Sequence, residues 1–193
     1  MSSTKKKIPP KIQKLIFVGV VIIVAIYLIS QISNGSDFRA AKRTMEAGDY
    51  ETAAEMFSKL GSYSDSDEYV RYCYALQAFS KEDYSTAKDL FDALGGFQKS
   101  QKYASYCQGM ILCASDNYWE AAEYFEKCLH SFLSKSAFLD SETQAKRCYY
   151  TVGMQLYVAK DYSTAAICFR RAGDYDNAEQ LLAECNEYVN ANK

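Results

Sequence analysis

The residues of this chain most able to do chemistry are seven cysteines, a single histidine and scattered carboxylates. A thiolate is a nucleophile and a metal ligand, an imidazole moves protons near neutral pH, and paired carboxylates share acid–base work. Their spacing argues against each role. No Cys-x-x-Cys occurs, which removes the usual seed of a zinc site. Cys73, Cys107, Cys148 and Cys185 each stand seven residues after Ser66, Ser100, Ser141 and Ala178, and so form a recurring column. Cys113, Cys128 and Cys168 lie outside it. A small apolar residue that recurs in this way reads as packing. Equivalent positions in adjacent repeats would lie roughly one helix spacing of 8–10 Å apart, beyond disulfide reach. His130 sits among Leu129 and Phe132 on an apolar stretch and reads as a packing or helix-surface residue. Asp65 and Asp67 fall at a turn, where helix capping is the ordinary role. No Gly-rich phosphate loop or nucleophile elbow appears. No residue is assigned to catalysis, to a metal or to a cofactor, and the expectation is a protein that is not an enzyme.

The elements that hold these residues are announced by a phrase written four times. It reads Asp49-Tyr50-x-x-Ala53-x-x-x-Phe57, Asp83-Tyr84-x-x-Ala87-x-x-x-Phe91, Asn117-Tyr118-x-x-Ala121-x-x-x-Phe125 and Asp161-Tyr162-x-x-Ala165-x-x-x-Phe169, with starts 34, 34 and 44 residues apart. A period of this size means stacked helical repeats. The Asp or Asn caps a helix, the Ala lets another helix approach, and the Phe one turn on fills the space between them. In three units the helix closes on Gly, at Leu60-Gly61-Ser62-Tyr63, Leu94-Gly95-Gly96-Phe97 and Ala172-Gly173-Asp174-Tyr175. Glycine there is expected to take the left-handed conformation at little cost. Asp65-Ser66, Ser100, Asp140-Ser141 and Asn177 then cap the next helix. In the third unit Phe138 comes seven residues late, and Ala121, Ala122, Phe125, Cys128, Leu129, Phe132 and Leu133 continue one apolar face. The spacing therefore predicts helices over 37–47, 50–60, 66–80, 84–94, 100–115, 118–134, 141–159, 162–172 and 176–190, the sixth lengthened and the last a terminal cap.

Ahead of the repeats the composition changes abruptly. Residues 1–14 carry Lys5, Lys6, Lys7, Lys11 and Lys14 and no acid. Residues 15–32 are almost wholly apolar, and as a helix they reach roughly 27 Å, close to a bilayer's hydrocarbon core of about 30 Å. A transmembrane anchor is expected. A buried core helix lacks support, since no polar face exists, and a cleaved signal lacks a small-x-small site. Ser33 to Ser36 read as a short flexible linker. Residues 37–193 hold all 24 acidic residues and 17 of the 22 basic ones, a formal net charge of −7. That balance disfavours nucleic acid and anionic membrane surfaces. Lysine asymmetry favours a cytoplasmic N-terminus and an extracytoplasmic repeat domain, and the expectation is a single-pass protein of a bacterial cell membrane. Seven unpaired thiols sit awkwardly outside a cell, so the reverse orientation, with a cytoplasmic repeat domain, stays open.

The phrase Gly48-Asp49-Tyr50-x-x-Ala53-x-x-x-Phe57 and its copies resemble the second half of a tetratricopeptide repeat. Gly109 and Gly153, nine residues before Tyr118 and Tyr162, fall where that family places a Gly in its first helix, and Ala41 and Ala75 occupy the column in the other units. The resemblance spans about 38–190. The chain departs from it in lacking the closing Pro and a first-helix Trp; other helical-pair repeats such as the Sel1-like type are the alternative. The implied fold is all-α: a superhelix of antiparallel helix pairs, an α-solenoid, behind one N-terminal transmembrane helix. The family binds peptides on the concave face lined by first helices. Here that face would carry Phe38, Tyr72, Tyr106 and Tyr150, then Lys42, Leu76, Met110 and Met154, then Met45, Phe79, Cys113 and Tyr157. An aromatic and thioether stripe suits apolar peptide segments, and packing between repeats is the competing reading. The Lys and Asn pattern that grips a terminal carboxylate does not recur. The expected function is a membrane-tethered scaffold for a protein or peptide partner. The alternatives are an assembly subunit of a membrane or envelope complex and an envelope glycan-binding accessory protein.

Overall fold

The computed structural model describes residues 9–129 and 138–191. Among them every regular element is helical. Helix α1 runs Pro10–Glu46, α2 Tyr50–Leu60, α3 Ser66–Ser80, α4 Tyr84–Leu94 and α5 Ser100–Ala114. Then come α6 Tyr118–Leu129, α7 Ser141–Val158, α8 Tyr162–Ala172 and α9 Ala178–Ala191. Four of the expected helices, α2, α3, α4 and α8, begin and end where the sequence places them. The extension of α6 through 130–134 and the reading of His130 lie outside the described residues.

The first departure is α1. Ser33 to Ser36, expected as a flexible linker, are helical, and one 37-residue helix joins the apolar run to the first repeat. Continuing a helix through four poor formers costs up to about 1 kcal/mol each, but breaking it would create two new ends with four orphan groups apiece. Gly35 has a packing reason as well. A Cβ there would meet the Tyr63 hydroxyl at 3.1 Å, so this Gly serves close approach and not flexibility.

The chain packs as two units, one ending at Val70 and the other beginning at Arg71. In the first, α1 lies against α2 around an aromatic knot. Phe57 stacks on Tyr69 at 4.7 Å, and Phe38 meets both rings edge-on at 5.4 Å. In the second, α4 packs on α5, α5 on α6, α6 on α7, α7 on α8 and α8 on α9. Its core holds Phe125, Phe169, Tyr149, Cys128, Cys148 and Cys185 among the alanines of the repeated phrase. All four phrase phenylalanines, all four phrase alanines and all four column cysteines are fully buried. Burial of each Phe stabilises by roughly 1.5–3 kcal/mol.

The helix ends follow from local chemistry. Asp49, Asp83 and Asp161 accept the backbone N–H of Thr52, Thr86 and Thr164, each at 3.1 Å. Asn117 instead donates to the Glu120 carboxylate at 2.8 Å. The caps expected of Ser100 and Asp140-Ser141 do not form: α5 and α7 start without a side-chain cap, because both serine hydroxyls are buried in the packing. Gly61, Gly95 and Gly173 have φ of 54°, 55° and 60° with ψ of −129°, −120° and −121°. That is the first corner of a type II′ turn, not the left-handed helical region, and it is closed by Tyr63 N–H to Leu60, Phe97 to Leu94 and Tyr175 to Ala172. A second set of turns places Ser64, Gln98, Leu139 and Asp176 at φ near +50°, without glycine.

Candidate functional site

The stripe expected on the first helices is largely consumed by packing. Tyr72, Leu76 and Tyr106 are buried, at 5 %, 7 % and 6 % exposure. Phe38, Phe79, Met110, Tyr150, Met154 and Tyr157 are half-buried. Phe38 belongs to the first unit and the rest to the second. Tyr72 meets Phe91, Phe97 and Tyr103 edge-on at 5.8, 5.8 and 6.3 Å. Tyr103 stacks on Phe91 at 4.7 Å, repeating the Tyr69–Phe57 pair of the first unit.

The tyrosine hydroxyls have structural work. Tyr106 donates to Asp140 at 2.6 Å, and Tyr150 donates to Asn177 at 2.6 Å. Asp140 and Asn177 are equivalent positions at the turn before the next first helix. Each Tyr therefore ties one helix pair to the next. Tyr157 donates to Glu184 of α9 at 2.9 Å, and this bond, with burial, pushes the phenol up to about 12. Burial opposes ionisation of Asp140, yet hydrogen bonds from Tyr106 and Gln144 hold its carboxyl below the ordinary range. For Tyr106 burial comes first and the Asp140 bond second, and both push the phenol up.

What the stripe leaves for a ligand is therefore aromatic edge and thioether. Phe79, Met110, Tyr150, Met154 and Tyr157 lie against the core with part of each side chain exposed. Among the described residues no His, Cys, Asp and Glu grouping has a metal-binding arrangement.

Three features were not read from the sequence. One is a cluster at the core's edge in which the Arg171 guanidinium lies 4.8 Å from the buried Tyr149 ring and 5.8 Å from Trp119. Its Nη1 donates to the Tyr149 hydroxyl at 2.6 Å. Another is the set of exposed apolar side chains Tyr74, Val158, Ile167 and Tyr188. The third is a thiol pair. Cys113 Sγ on α5 and Cys148 Sγ on α7 stand 3.3 Å apart. The column argument separates Cys148 from Cys107 and Cys185, but Cys113 lies off the column and escapes it.

Glycine in the first helices is used for contact. A Cβ at Gly109 would lie 2.7 Å from Phe125 Cε1, and one at Gly153 would lie 2.7 Å from Phe169 Cε1. Comparison with family models, curated proteins and solved structures finds no match. The geometry therefore stands without a family assignment. One helix, Lys11–Glu46, is long and apolar enough to cross a membrane; a single span or a signal sequence fits it.

Proposed function

We propose that this chain is a single-pass membrane protein whose helical repeats, of tetratricopeptide type, form a protein-interaction module. The carrying observation is α1. Its apolar stretch is exposed along its whole length, from Leu15 at 75 % to Ile32 at 74 %, and its C-terminal turns build the first packed pair. Contiguous apolar surface on this scale needs a cover, and hydrocarbon lipid supplies one. The preceding lysines favour a cytoplasmic N-terminus. In the second unit Met110, Met154 and Tyr157 offer adaptable apolar contact to a partner segment, while the phenol groups beside them are engaged internally. No metal or cofactor enters this reading.

A test must leave the core intact, which rules out truncating Tyr72 or Tyr106. Full-length protein in detergent is used to recover partners from membranes, as wild type and as Met110→Lys/Met154→Lys. Equal thermal midpoints show that both fold. Recovery reduced by about tenfold or more in the double variant supports docking at the thioethers. Undiminished recovery sinks it.

An assembly role is the second reading, favoured by the unbroken passage of α1 through Ser33 to Ser36. A helix without a linker holds the first pair at a set distance from the bilayer, as a fixed subunit requires. Co-purification with an integral membrane complex that survives the methionine changes and is lost when Ser33 to Ser36 are replaced by a Gly/Ser linker of twice the length supports this reading.

A further inference from the structure

We propose that Cys113 and Cys148 form a reversible disulfide that links α5 to α7. The two sulfurs stand 3.3 Å apart, already in van der Waals contact, on helices that are not neighbours in sequence. Cys148 is fully buried, while Cys113 is only partly buried at the edge of the core. This asymmetry suits an attacking and a resolving thiol. The surroundings agree with it. The contact with the Cys148 thiol, then the neighbouring Arg147 guanidinium, brings the Cys113 thiol down to about 7, against the opposing effect of burial. Its partner Cys148 is pushed up by the Cys113 contact and by burial. Burial pushes Cys73 and Cys107 up to about 12 and Cys128 to about 11, so those thiols stay protonated.

The co-reactant is a small-molecule disulfide. Cys113 thiolate attacks one of its sulfurs and expels the other half as a thiolate, leaving a mixed disulfide. Cys148, losing its proton to that departing thiolate, then attacks Cys113 Sγ and expels the second half. Two protein thiols become one disulfide, one small-molecule disulfide becomes two thiols, and the two electrons pass to the latter. The bond closes a loop through α6 and fastens the helix that carries Met110 to the helix that carries Met154. Its formation would also reconcile an extracytoplasmic repeat domain with its cysteines, because the one accessible thiol with a partner in reach would be oxidised and the others are buried.

The test uses full-length protein in detergent, exposed to oxidised glutathione, alkylated and digested with trypsin. The expected product joins the peptide starting at Tyr103 to the peptide starting at Cys148, lighter than the reduced pair by two hydrogens. It persists in Cys107→Ser, which shares the first peptide, and disappears in Cys113→Ser. Wild type gains about 5 °C or more in thermal midpoint on oxidation, and Cys113→Ser gains nothing. Absence of the linked peptide in wild type, when glutathione is found attached to Cys113, overturns the proposal. So does its persistence in Cys113→Ser.

Discussion

Ser141 and Ser100 illustrate how strongly a repeated column can be shaped by size. Both are fully buried, and their hydroxyls have no hydrogen-bond partner among the described residues. Ser66 in the same column donates to the Tyr63 carbonyl at 2.5 Å, and Ala178 fills the column with no hydroxyl at all. Small volume is therefore the shared requirement. Ser141→Ala is expected to be neutral or to stabilise by up to about 1 kcal/mol in urea unfolding, because a buried unpaired hydroxyl is removed. A loss of more than that would show a hydrogen bond that this geometry lacks. Gly109 makes the converse case. Gly109→Ala gains helix propensity of about 1 kcal/mol but drives a methyl into the Phe125 ring, so a net loss of roughly 1–2 kcal/mol is expected. The same unfolding measurement checks it, and an increase in stability would mean that Phe125 yields freely.

At the scale of the element, the helix starts are strained and charged in a regular way. Glu82, Asp116 and Lys160 take φ of 59°, 58° and 63° at the position held by Gly48, φ 89°, in the first unit. A lysine in that conformation costs of order 1 kcal/mol, which glycine avoids. Lys160→Gly is expected to raise the thermal midpoint by a few degrees, and an unchanged or lower midpoint would remove strain from the account. The caps respond to pH. Hydrogen bonds from Thr86 and Thr164 lower the carboxyls of Asp83 and Asp161 below the ordinary 3.8. A group whose folded value is depressed stabilises above its unfolded value, and that contribution is lost as pH falls through the folded value. Stability should therefore decline below about pH 4. Asp83→Asn/Asp161→Asn keeps the acceptors and removes the titration, so a shallower acid decline is expected in thermal melts from pH 6 to 2 (approximately the carboxylate range). An identical decline in both proteins would assign it elsewhere.

At the scale of the whole molecule, the proposed span in α1 sets on which side of a membrane the repeats would stand. With a cytoplasmic N-terminus, Ser36 emerges on the outer side, exposed and just beyond the apolar stretch. Ser36→Cys is expected to react with an impermeant maleimide on intact cells. The parent protein, whose described cysteines are all buried except the partly buried Cys113, gives the background. Labelling only after permeabilisation would reverse the orientation and place the repeats in the cytoplasm. Position 36 is used because a side chain at Gly35 would crowd Tyr63.

The period, the Asp-capped starts of α2, α4 and α8 and the burial of the Phe, Ala and Cys columns were legible in the chain itself. Each rests on signals acting within one or two turns: an Asp reaching the N–H three residues on, a Gly closing the helix, apolar residues repeating on one face. The fate of the tyrosine stripe was not legible. Phenol partners such as Asp140 and Asn177 lie 34 and 27 residues away, and only the docking of one pair on the next decides that these hydroxyls bind protein. Continuity of α1 was hidden for a related reason, since Ser33 to Ser36 are poor helix formers whose behaviour is decided by the helix on either side and by Tyr63 packing over Gly35. The Cys113–Cys148 contact is the sharpest case. One residue lies on the repeated column and the other off it, and only the placement of α5 against α7 brings the two sulfurs to 3.3 Å. Sequence determined the helices because their ends and faces are local; tertiary structure decided which side chains meet, because that depends on how the helices dock.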